Sequence, residues 1–503
     1  MQNHKYIQAE GELFEAVQKA HLFPDQKTFP DSVPLGDPEI IEAKYQKLKN
    51  SKEFNLMEFV KTHFMLPEYA RSDTLTTSKG KFVPIEDYIE NSWTILTRLS
   101  LTSSPYDTAI QLPSPYVVPG GRFREMYYWD SFFTALGIIH HKRYDLLYGI
   151  CNNYAYFIKK LGYIPNASRT YFYGRSQPPT FALLVHLLSR TRKADVYNDY
   201  LDVLETEYRF WMDGEKELAE GEAYRRVVNC KGYILNRYFD DTAKARAEAW
   251  SIDLEVAAKN NNRESRDIFR DINSATESGW DFSGRWFKKH NKIESIQTTS
   301  VIPVDLNCLL YIYERKFAFW YHHKGNEQKS RIYRIRAANR KRAIQEVLFN
   351  TQRGFYTDYI IGGGPSDYLT LAGAYPLYAQ IPNLTQARQV ISLLENKFLY
   401  PGGLVTSLTE TKEQWDYPNG WAPLQWIVVQ GLENYYQEEL AATIRLRWNT
   451  LVNQTYQNTG LIFEKYNVVE PSDSPQDGEY ALQAGFGWTN GVYMDFLKSG
   501  YYL

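Results

Sequence analysis

Helical periodicity limits the fold of this chain of 503 residues more than any other feature of its sequence. In several segments apolar residues recur every three or four positions, which is the spacing of one face of an α-helix. The clearest of these segments are residues 129–136, 197–211, 387–394 and 444–452. Sustained alternation of apolar and polar residues, the pattern of a half-buried strand, is scarce. The chain is therefore predicted to be mainly α, with long loops between its helices.

Aromatic residues make up 16% of the chain, including 40 Tyr and 12 Trp. Tyr and Trp rings pack through their faces and hydrogen bond through a polar edge, which suits a sugar-binding cleft, but a large helical core uses the same residues. The formal net charge is −2, so we expect no nucleic acid or other polyanionic partner. The sequence contains no run of 18 apolar residues, and no membrane span is predicted.

The chain contains three widely spaced cysteines and no CxxC pair, and its N-terminal residues lack the apolar segment of a signal peptide. Reduced thiols and the absence of a leader predict a cytoplasmic protein, with a periplasmic protein that has lost its leader as the alternative. The histidine pairs lack HExxH spacing, and the sequence has neither a GxSxG elbow nor a GxGxxG loop. We therefore expect no metal and no organic cofactor.

Two segments combine indole and phenol rings with charged or amide side chains on turns rich in glycine and proline. Residues 119–130 read PGGRFREMYYWD, and residues 414–423 read QWDYPNGWAP. Flat aromatic rings cover the C–H face of a sugar, while charged and amide groups hydrogen bond to its hydroxyls. The combination predicts a neutral, polyhydroxylated ligand.

Hydrolysis of a glycosidic bond needs one carboxyl group that protonates the leaving oxygen and, in an inverting enzyme, a second that activates water. The candidates are the carboxylates next to aromatic residues, namely Asp130, Asp281, Asp416, Glu464 and Glu479. Asp281 lies between Trp280 and Phe282, and burial against such rings would raise the pKa of an acid. Glu464 precedes Lys465, whose charge would favour the ionised form of a base. Taken singly, each carboxylate fits a helix cap or an ion pair better than a catalytic role.

Three arginines form a second set of candidates in loop-like stretches beside Gly, Pro or aromatic residues. They are Arg122, Arg175 and Arg246. The forked guanidinium can hold two neighbouring hydroxyls or keep a carboxylate ionised. Taken singly, each arginine fits a surface ion pair better.

Together, the two aromatic segments resemble the paired signatures of the trehalases, glycosidases that hydrolyse α,α-trehalose to two glucose molecules. The resemblance covers most of the chain and is greatest to the bacterial branch. Further similar segments are residues 23–29, 163–166, 176–179, 277–285 and 485–492. The resemblance implies an (α/α)₆ toroid with the active site at one mouth. No change in composition divides the chain, so we expect one catalytic domain over residues 1–503, with an extended N-terminal arm over about residues 1–60.

The resemblance also implies roles for individual residues. Asp281 would be the proton donor and Glu464 the base of an inverting mechanism. The glucose subsites would be lined by Arg122, Trp129, Asp130, Asn166, Arg175, Gln177, Arg246, Glu248 and Gly279. Glu479 would contact the substrate from a closing loop. In relatives the lid before Glu479 is often rich in glycine, whereas residues 469–478 here contain two prolines, which should stiffen the loop and change its closing rate.

Two other functions remain open from the sequence alone. One is a helical-toroid glycosidase for another glucoside, and the other is a non-catalytic sugar-binding protein. The second alternative predicts that one catalytic carboxylate is missing, whereas Asp281 and Glu464 are both present. We expect a monomer that acts on a small disaccharide, in a role compatible with either catabolism or osmotic-stress adjustment.

Overall fold

A computed structural model of the chain describes residues 6–67, 83–99, 104–191, 195–260, 262–471, 478 and 480–499. Helices dominate these residues, as the apolar periodicity predicted. The α-helices of the described part are Glu12–Lys19 (α1), Pro38–Leu48 (α2), Leu56–His63 (α3), Ile85–Leu96 (α4), Tyr128–His140 (α5), Tyr144–Leu161 (α6), Phe181–Thr191 (α7), Leu201–Trp211 (α8), Trp250–Ala258 (α9), Ser265–Glu277 (α10), Val304–His323 (α11), Glu327–Ala343 (α12), Tyr375–Tyr378 (α13), Leu384–Leu393 (α14), Ala422–Glu433 (α15), Glu438–Thr459 (α16) and Gly487–Ser499 (α17).

The strands are short and pair antiparallel beside the helices. They are Val33–Pro34 (β1), Phe64–Met65 (β2), Thr97–Arg98 (β3), Tyr116–Val117 (β4), Ala223–Tyr224 (β5), Val227–Cys230 (β6), Tyr233–Asn236 (β7), Val301–Ile302 (β8), Phe349–Asn350 (β9), Phe355–Tyr356 (β10), Tyr359–Ile360 (β11), Gly364–Pro365 (β12), Leu399–Tyr400 (β13), Gly403–Leu404 (β14), Asn419–Trp421 (β15) and Lys465–Asn467 (β16). The pair β15–β16 sets Trp421 opposite Lys465, and so brings the second aromatic segment next to Glu464.

Local sequence signals begin and end several helices. Asp37 and Asn55 accept hydrogen bonds from backbone N–H groups in the first turns of α2 and α3, which satisfies donors that have no partner within the helix. Helices α6 and α16 end at Gly162 and Gly460, which adopt the left-handed conformation that favours glycine. The predicted helical segment 197–211 is interrupted, because a 3₁₀ turn precedes α8 there.

The helices close into a ring. Neighbours along the chain pack in pairs, such as α11 with α12 and α15 with α16, and the last helix, α17, packs against α5. Helices α5, α15 and α17 are buried over most of their residues, whereas α12 buries only one stripe. This is the expected pattern of inner and outer helices in an α/α toroid.

Most of the aromatic residues in the described ranges are buried in the core. Nine tryptophans are among the largest fully buried side chains, and several of them also reach the cavity described below. All three cysteines are buried and unpaired with one another. None of the helices in the described ranges is long and apolar enough to cross a membrane.

The expected extended arm over about residues 1–60 needs a correction. Within residues 6–67 the chain forms α1, α2 and α3, which build a small core of their own. Ala247 of the main body joins this core. The connection between α1 and α2 contains a 3₁₀ turn and β1 but no α-helix, and residues 24–27 of that connection line the cavity.

Candidate active site

A cavity of about 300 Å³ lies beside the N-terminal ends of α5, α15 and α17 and just beyond the C-terminal end of α10. Its volume is at the lower end of the range for small-molecule sites. Ten residues singled out in the sequence line it, namely Arg122, Trp129, Asp130, Asn166, Arg175, Gln177, Arg246, Glu248, Gly279 and Asp281. Segments distant in sequence therefore meet around one small chamber.

Glu464 approaches this chamber from behind Tyr480, which lines it. The Tyr480 hydroxyl donates a hydrogen bond to Glu464 Oε2 at 3.3 Å. The backbone of Glu464 is held on both sides, because its N–H donates to the Gln483 carbonyl and its carbonyl accepts from Trp488 Nε1. Glu464 is fully buried, and its Oε1 atom has no hydrogen-bond partner among the described residues.

Burial raises the pKa of Glu464 to about 7. The charge of Lys465, the hydrogen bond from Tyr480 and the charge of Arg122 all oppose this shift. The sequence-based expectation about Lys465 therefore has the right direction, but burial outweighs the lysine. The Lys465 ammonium donates to Gln414 Oε1 at 2.8 Å and lies over the Trp421 ring.

Asp130, in the first turn of α5, is a third carboxyl group in this neighbourhood. Burial raises its pKa to about 8, and the nearby charges of Asp281 and Glu464 contribute to the rise. A carboxyl group with this pKa is protonated at neutral pH and can donate a hydrogen bond. Asp130 is therefore suited to donate a hydrogen bond rather than to act as a base.

Asp281 follows a sharp turn at the end of α10. The turn needs Gly279, whose φ is +75° and whose Cβ, if present, would lie 2.7 Å from the Trp129 ring. The backbone carbonyl of Asp281 accepts a hydrogen bond of 2.7 Å from Gln414 Nε2. Gln414 also accepts from Lys465, so one side chain connects the Asp281 loop to the residue next to Glu464.

The second aromatic segment contributes a stack of indole rings. Trp280, Trp415 and Trp421 stack with centroid distances of 5.4 and 3.9 Å. Trp415 also lies 5.8 Å from Trp129 across the cavity wall. Trp415 and Trp421 of this stack line the chamber and give it apolar surface, which the composition of residues 414–423 had indicated.

Asp416, a catalytic candidate from the sequence, has a structural role instead. Its carboxylate accepts hydrogen bonds of 2.6 Å from Ser283, 2.7 Å from the Gly284 backbone and 2.6 Å from Thr411. Asp416 therefore holds the segment that follows Asp281, and it does not line the cavity.

Each of the three arginines is held by a carboxylate. Arg122 makes two hydrogen bonds of 2.8 and 2.7 Å with Asp25, and Arg175 bonds Glu248 at 2.6 Å. The third pair joins Arg246 to Asp253 at 2.7 Å. These partners orient the guanidinium groups before a ligand arrives, so less side-chain entropy is lost on binding.

Two amide side chains, those of Asn166 and Gln177, also line the cavity. Asn166 donates to the carbonyls of Ser176 and Thr276, and Gln177 accepts from the backbone N–H of Trp129. Both side chains therefore sit in fixed orientations at the cavity.

Part of the predicted site lies outside the residues that the structure describes, and three residues that line the cavity or hold its arginines were not predicted from the sequence. Glu479 and loop residues 472–477 lie outside the described residues. Asp25, Asp253 and Tyr480 were not singled out as site residues. For Asp25 the only sequence signal was the resemblance of residues 23–29, and for Tyr480 it was the position next to Glu479. In the part of the chain that the structure describes, no group of His, Cys, Asp and Glu is arranged to hold a metal ion.

The helical ring and its aromatic, carboxyl-bearing cavity define a glycoside hydrolase of the helical-toroid class. The family profile described as Trehalase matches residues 21–500, and the chain belongs to the trehalase family. The periplasmic trehalase of Citrobacter koseri is 42% identical over 494 residues, which cover 97% of this chain and 85% of that protein. The periplasmic trehalase of Salmonella paratyphi B is 41% identical with the same coverage.

Solved structures show the same fold. The neutral trehalase of Saccharomyces cerevisiae is similar with a TM-score of 0.62 and 24% identity, over 76% of this chain and 73% of that chain. A GH63 mannosylglycerate hydrolase from Thermus thermophilus has a TM-score of 0.54 and 15% identity, over 82% of this chain and all of that chain. The predicted toroid is thus confirmed. The expected cytoplasmic location is not supported, because the bacterial relatives are named periplasmic trehalases.

Proposed function

We propose that this protein is an inverting α,α-trehalase in which Asp281 is the general acid and Glu464 the general base. The observation that carries the proposal is that Asp281 lines the aromatic cavity and Glu464 lies directly behind Tyr480, another lining residue, although 183 positions separate the two carboxyl groups in the chain. The charges of both carboxyl groups act on Tyr480, which lines that cavity. Membership of the trehalase family supports the choice of substrate.

In this mechanism the two glucose rings lie on either side of Asp281. Asp281 donates a proton to the oxygen that bridges the rings, and the bond to one anomeric carbon breaks. Glu464 accepts a proton from a water molecule, which attacks that carbon from the opposite face and inverts its configuration. In this proposal the proton goes to the Oε1 atom of Glu464, which is buried and has no hydrogen-bond partner among the described residues.

The pKa of Glu464 suits the role of base. With a pKa of about 7 it binds a proton more strongly than an ordinary carboxylate, yet it is substantially ionised near neutral pH. General-base strength rises with pKa as long as the ionised form is populated. Burial thus makes this carboxylate a better proton acceptor.

The remaining cavity residues form the glucose subsites in this proposal. Arg122, Arg175 and Arg246 donate to sugar hydroxyls, and protonated Asp130 adds a fourth donor. Trp129 and the neighbouring indole rings cover the apolar faces of the sugars. In the same proposal Asn166, Gln177, Glu248 and Gly279 also line the glucose subsites. Glu479 contacts the substrate.

The stereochemistry of the products tests this mechanism. Proton NMR of early turnover on trehalose should show one glucose released as the β-anomer and the other as the α-anomer. Two α-anomers would mean retention and would contradict the proposal. Asp281→Asn should lose nearly all turnover while keeping the circular dichroism spectrum of the parent, because acid assistance contributes about 10²–10⁴-fold to the rate. Maltose and sucrose serve as control substrates, and faster release from either would indicate another glucoside as the substrate.

The proposal extends to organisation and location. We infer that the described helices form one catalytic domain that acts as a monomer on a small disaccharide. We also infer a periplasmic location from the names of the bacterial relatives. Size-exclusion chromatography with light scattering tests the oligomeric state, and cell fractionation of the source organism tests the location.

A further inference from the structure

The two oxygens of the Glu464 carboxylate have different surroundings. Oε2 accepts a hydrogen bond from the Tyr480 hydroxyl, whereas Oε1 is buried and has no partner among the described residues. Burial raises the pKa of Tyr480 well above its ordinary value, so the phenol stays protonated and remains a donor. Among the described residues, one oxygen is therefore held by a side-chain hydrogen bond and the other is not.

Tyr480 is itself held by contacts on its ring. The guanidinium of Arg122 lies 4.8 Å from the centre of the ring, and Phe123 meets the ring edge to face at 5.3 Å. Cation–π contacts of this kind contribute more in a partly desolvated site than at an exposed surface. The ring therefore has few orientations in which its hydroxyl could point away from Glu464.

Arg122 is fixed by a residue that lies 97 positions earlier in the chain. Asp25 receives two parallel hydrogen bonds from the guanidinium, and the Arg122 backbone N–H donates to Gln483 Oε1 at 2.7 Å. Paired hydrogen bonds of this geometry restrict both position and plane of a guanidinium. Asp25 belongs to the connection between α1 and α2, so the N-terminal segment reaches the base through two intermediate side chains.

We propose that Tyr480 is a positioning residue for the base Glu464, and that Asp25 keeps Tyr480 in place through Arg122. The proposal rests on the proposed function, in which Glu464 activates water. A carboxylate free to rotate would present either oxygen in many directions, and a misplacement of about 1 Å can cost a large factor in rate. Tyr480 removes this freedom by holding Oε2, and Oε1 then faces the water.

Several charged or titratable groups face Glu464, and the expected effect on pH dependence must take account of all of them. They are Lys465, the next residue in the chain, Tyr480 and Arg122 on neighbouring loops, Asp130 on α5, and Asp281, whose charge acts on Tyr480. Among these, Lys465, Tyr480 and Arg122 lower the pKa of Glu464. Loss of the Tyr480 hydroxyl should therefore raise the pKa of Glu464 further.

The first test is Tyr480→Phe, which removes only the hydroxyl. We expect kcat on trehalose to fall about tenfold, in line with the loss of a hydrogen bond to a charged acceptor. The acidic limb of the kcat/KM profile should also move to higher pH. An unchanged limb together with a wild-type kcat would overturn the proposal.

The matched control is Tyr466→Phe. Tyr466 lies on β16, and its hydroxyl accepts a hydrogen bond of 2.8 Å from the Phe463 backbone N–H. Among the described residues, the hydrogen bond to the Glu464 carboxylate comes from Tyr480 and not from Tyr466. This variant should lower the melting temperature and leave the acidic limb in place. If both variants shift the limb equally, the effect is a general loss of packing, and the positioning role is refuted.

The role of Asp25, which is to hold Tyr480 through Arg122, is tested with Asp25→Asn. This substitution removes the charge, but the side chain can still accept the hydrogen bond from Lys27 N–H. Its control is Asp37→Asn at the N-cap of α2, remote from the cavity lining. Asp25→Asn should reduce kcat, whereas Asp37→Asn should not. The loss in the double variant Asp25→Asn/Tyr480→Phe should be smaller than the product of the single losses, because both act on one element. A fully multiplicative loss would refute the link.

These outcomes are distinguishable from a failure of the proposed function. If the parent protein releases no glucose from trehalose, the assignment of substrate is wrong. If the parent is active but Tyr480→Phe behaves like the parent, the assigned substrate is correct and the positioning role of Tyr480 is refuted.

Discussion

Replacing Glu464 by glutamine is expected to remove catalysis and, above pH 7, to stabilise the folded protein. Glu464 is fully buried, and its Oε1 atom has no partner among the described residues. Ionisation of this carboxyl group is therefore costly in the folded state. Glutamine has nearly the same shape and carries no charge, so it avoids the cost.

The size of the effect follows from the pKa. The pKa of Glu464 rises from 4.5 to about 7 on folding, and each pKa unit corresponds to about 1.4 kcal/mol. Ionised Glu464 therefore lowers the free energy of unfolding by about 3 kcal/mol. Below pH 4.5 the group is protonated in both the folded and the unfolded states, and the difference vanishes. Between that pH and about 7 only the unfolded state ionises, so the advantage of the variant grows, and above 7 it is constant.

Calorimetry of both proteins from pH 4 to pH 9 measures this advantage. For a chain of this length about 3 kcal/mol corresponds to an increase of about 3 °C in melting temperature. The exposed Glu439 on α16 provides the control, because Glu439→Gln should show no comparable gain. An advantage of Glu464→Gln that does not change with pH, or a variant less stable than the parent at pH 8, would refute the argument from burial.

Three further predictions concern the turn before Asp281, a buried ion pair and the cysteines. Gly279→Ala should lower the melting temperature and reduce kcat/KM at least tenfold, because positive φ costs an alanine about 1–2 kcal/mol and its Cβ would push the Trp129 ring into the cavity. Arg285→Ala should reduce the free energy of unfolding by about 3–5 kcal/mol, measured by urea denaturation, because Asp305 and Asp358 would lose their buried partner. The three buried cysteines should not react with a thiol reagent in the native protein and should all react in denaturant.

Much of the fold could be predicted because helical periodicity is a local property. The apolar spacing of residues 129–136 and 444–452 correctly predicts α5 and α16. The break before α8 could not be predicted, because the apolar pattern continues through the 3₁₀ turn that precedes it. The N-terminal segment was also more helical than expected, since its short helices are stabilised by packing against one another and against Ala247.

At the candidate site, the roles of individual residues could be predicted less well than the helices were. Asp416 has the same kind of aromatic neighbours as Asp281, yet its hydrogen bonds to Ser283 and Gly284 give it a structural role. Those partners lie more than 130 positions away, and no local pattern indicates them. Similarly, the local sequence around Asp25 is that of an ordinary turn, and only the fold places Asp25 next to Arg122.

The sequence by itself determined that the chain is helical, that it carries charged and amide side chains beside aromatic rings on turns, and that it resembles the trehalases. These properties depend on residue types and on spacing over a few positions. Only the tertiary structure decided that burial, rather than the adjacent Lys465, controls the pKa of Glu464. The reason is physical, because desolvation depends on how completely distant segments exclude water from a carboxylate, and sequence neighbours do not report that exclusion.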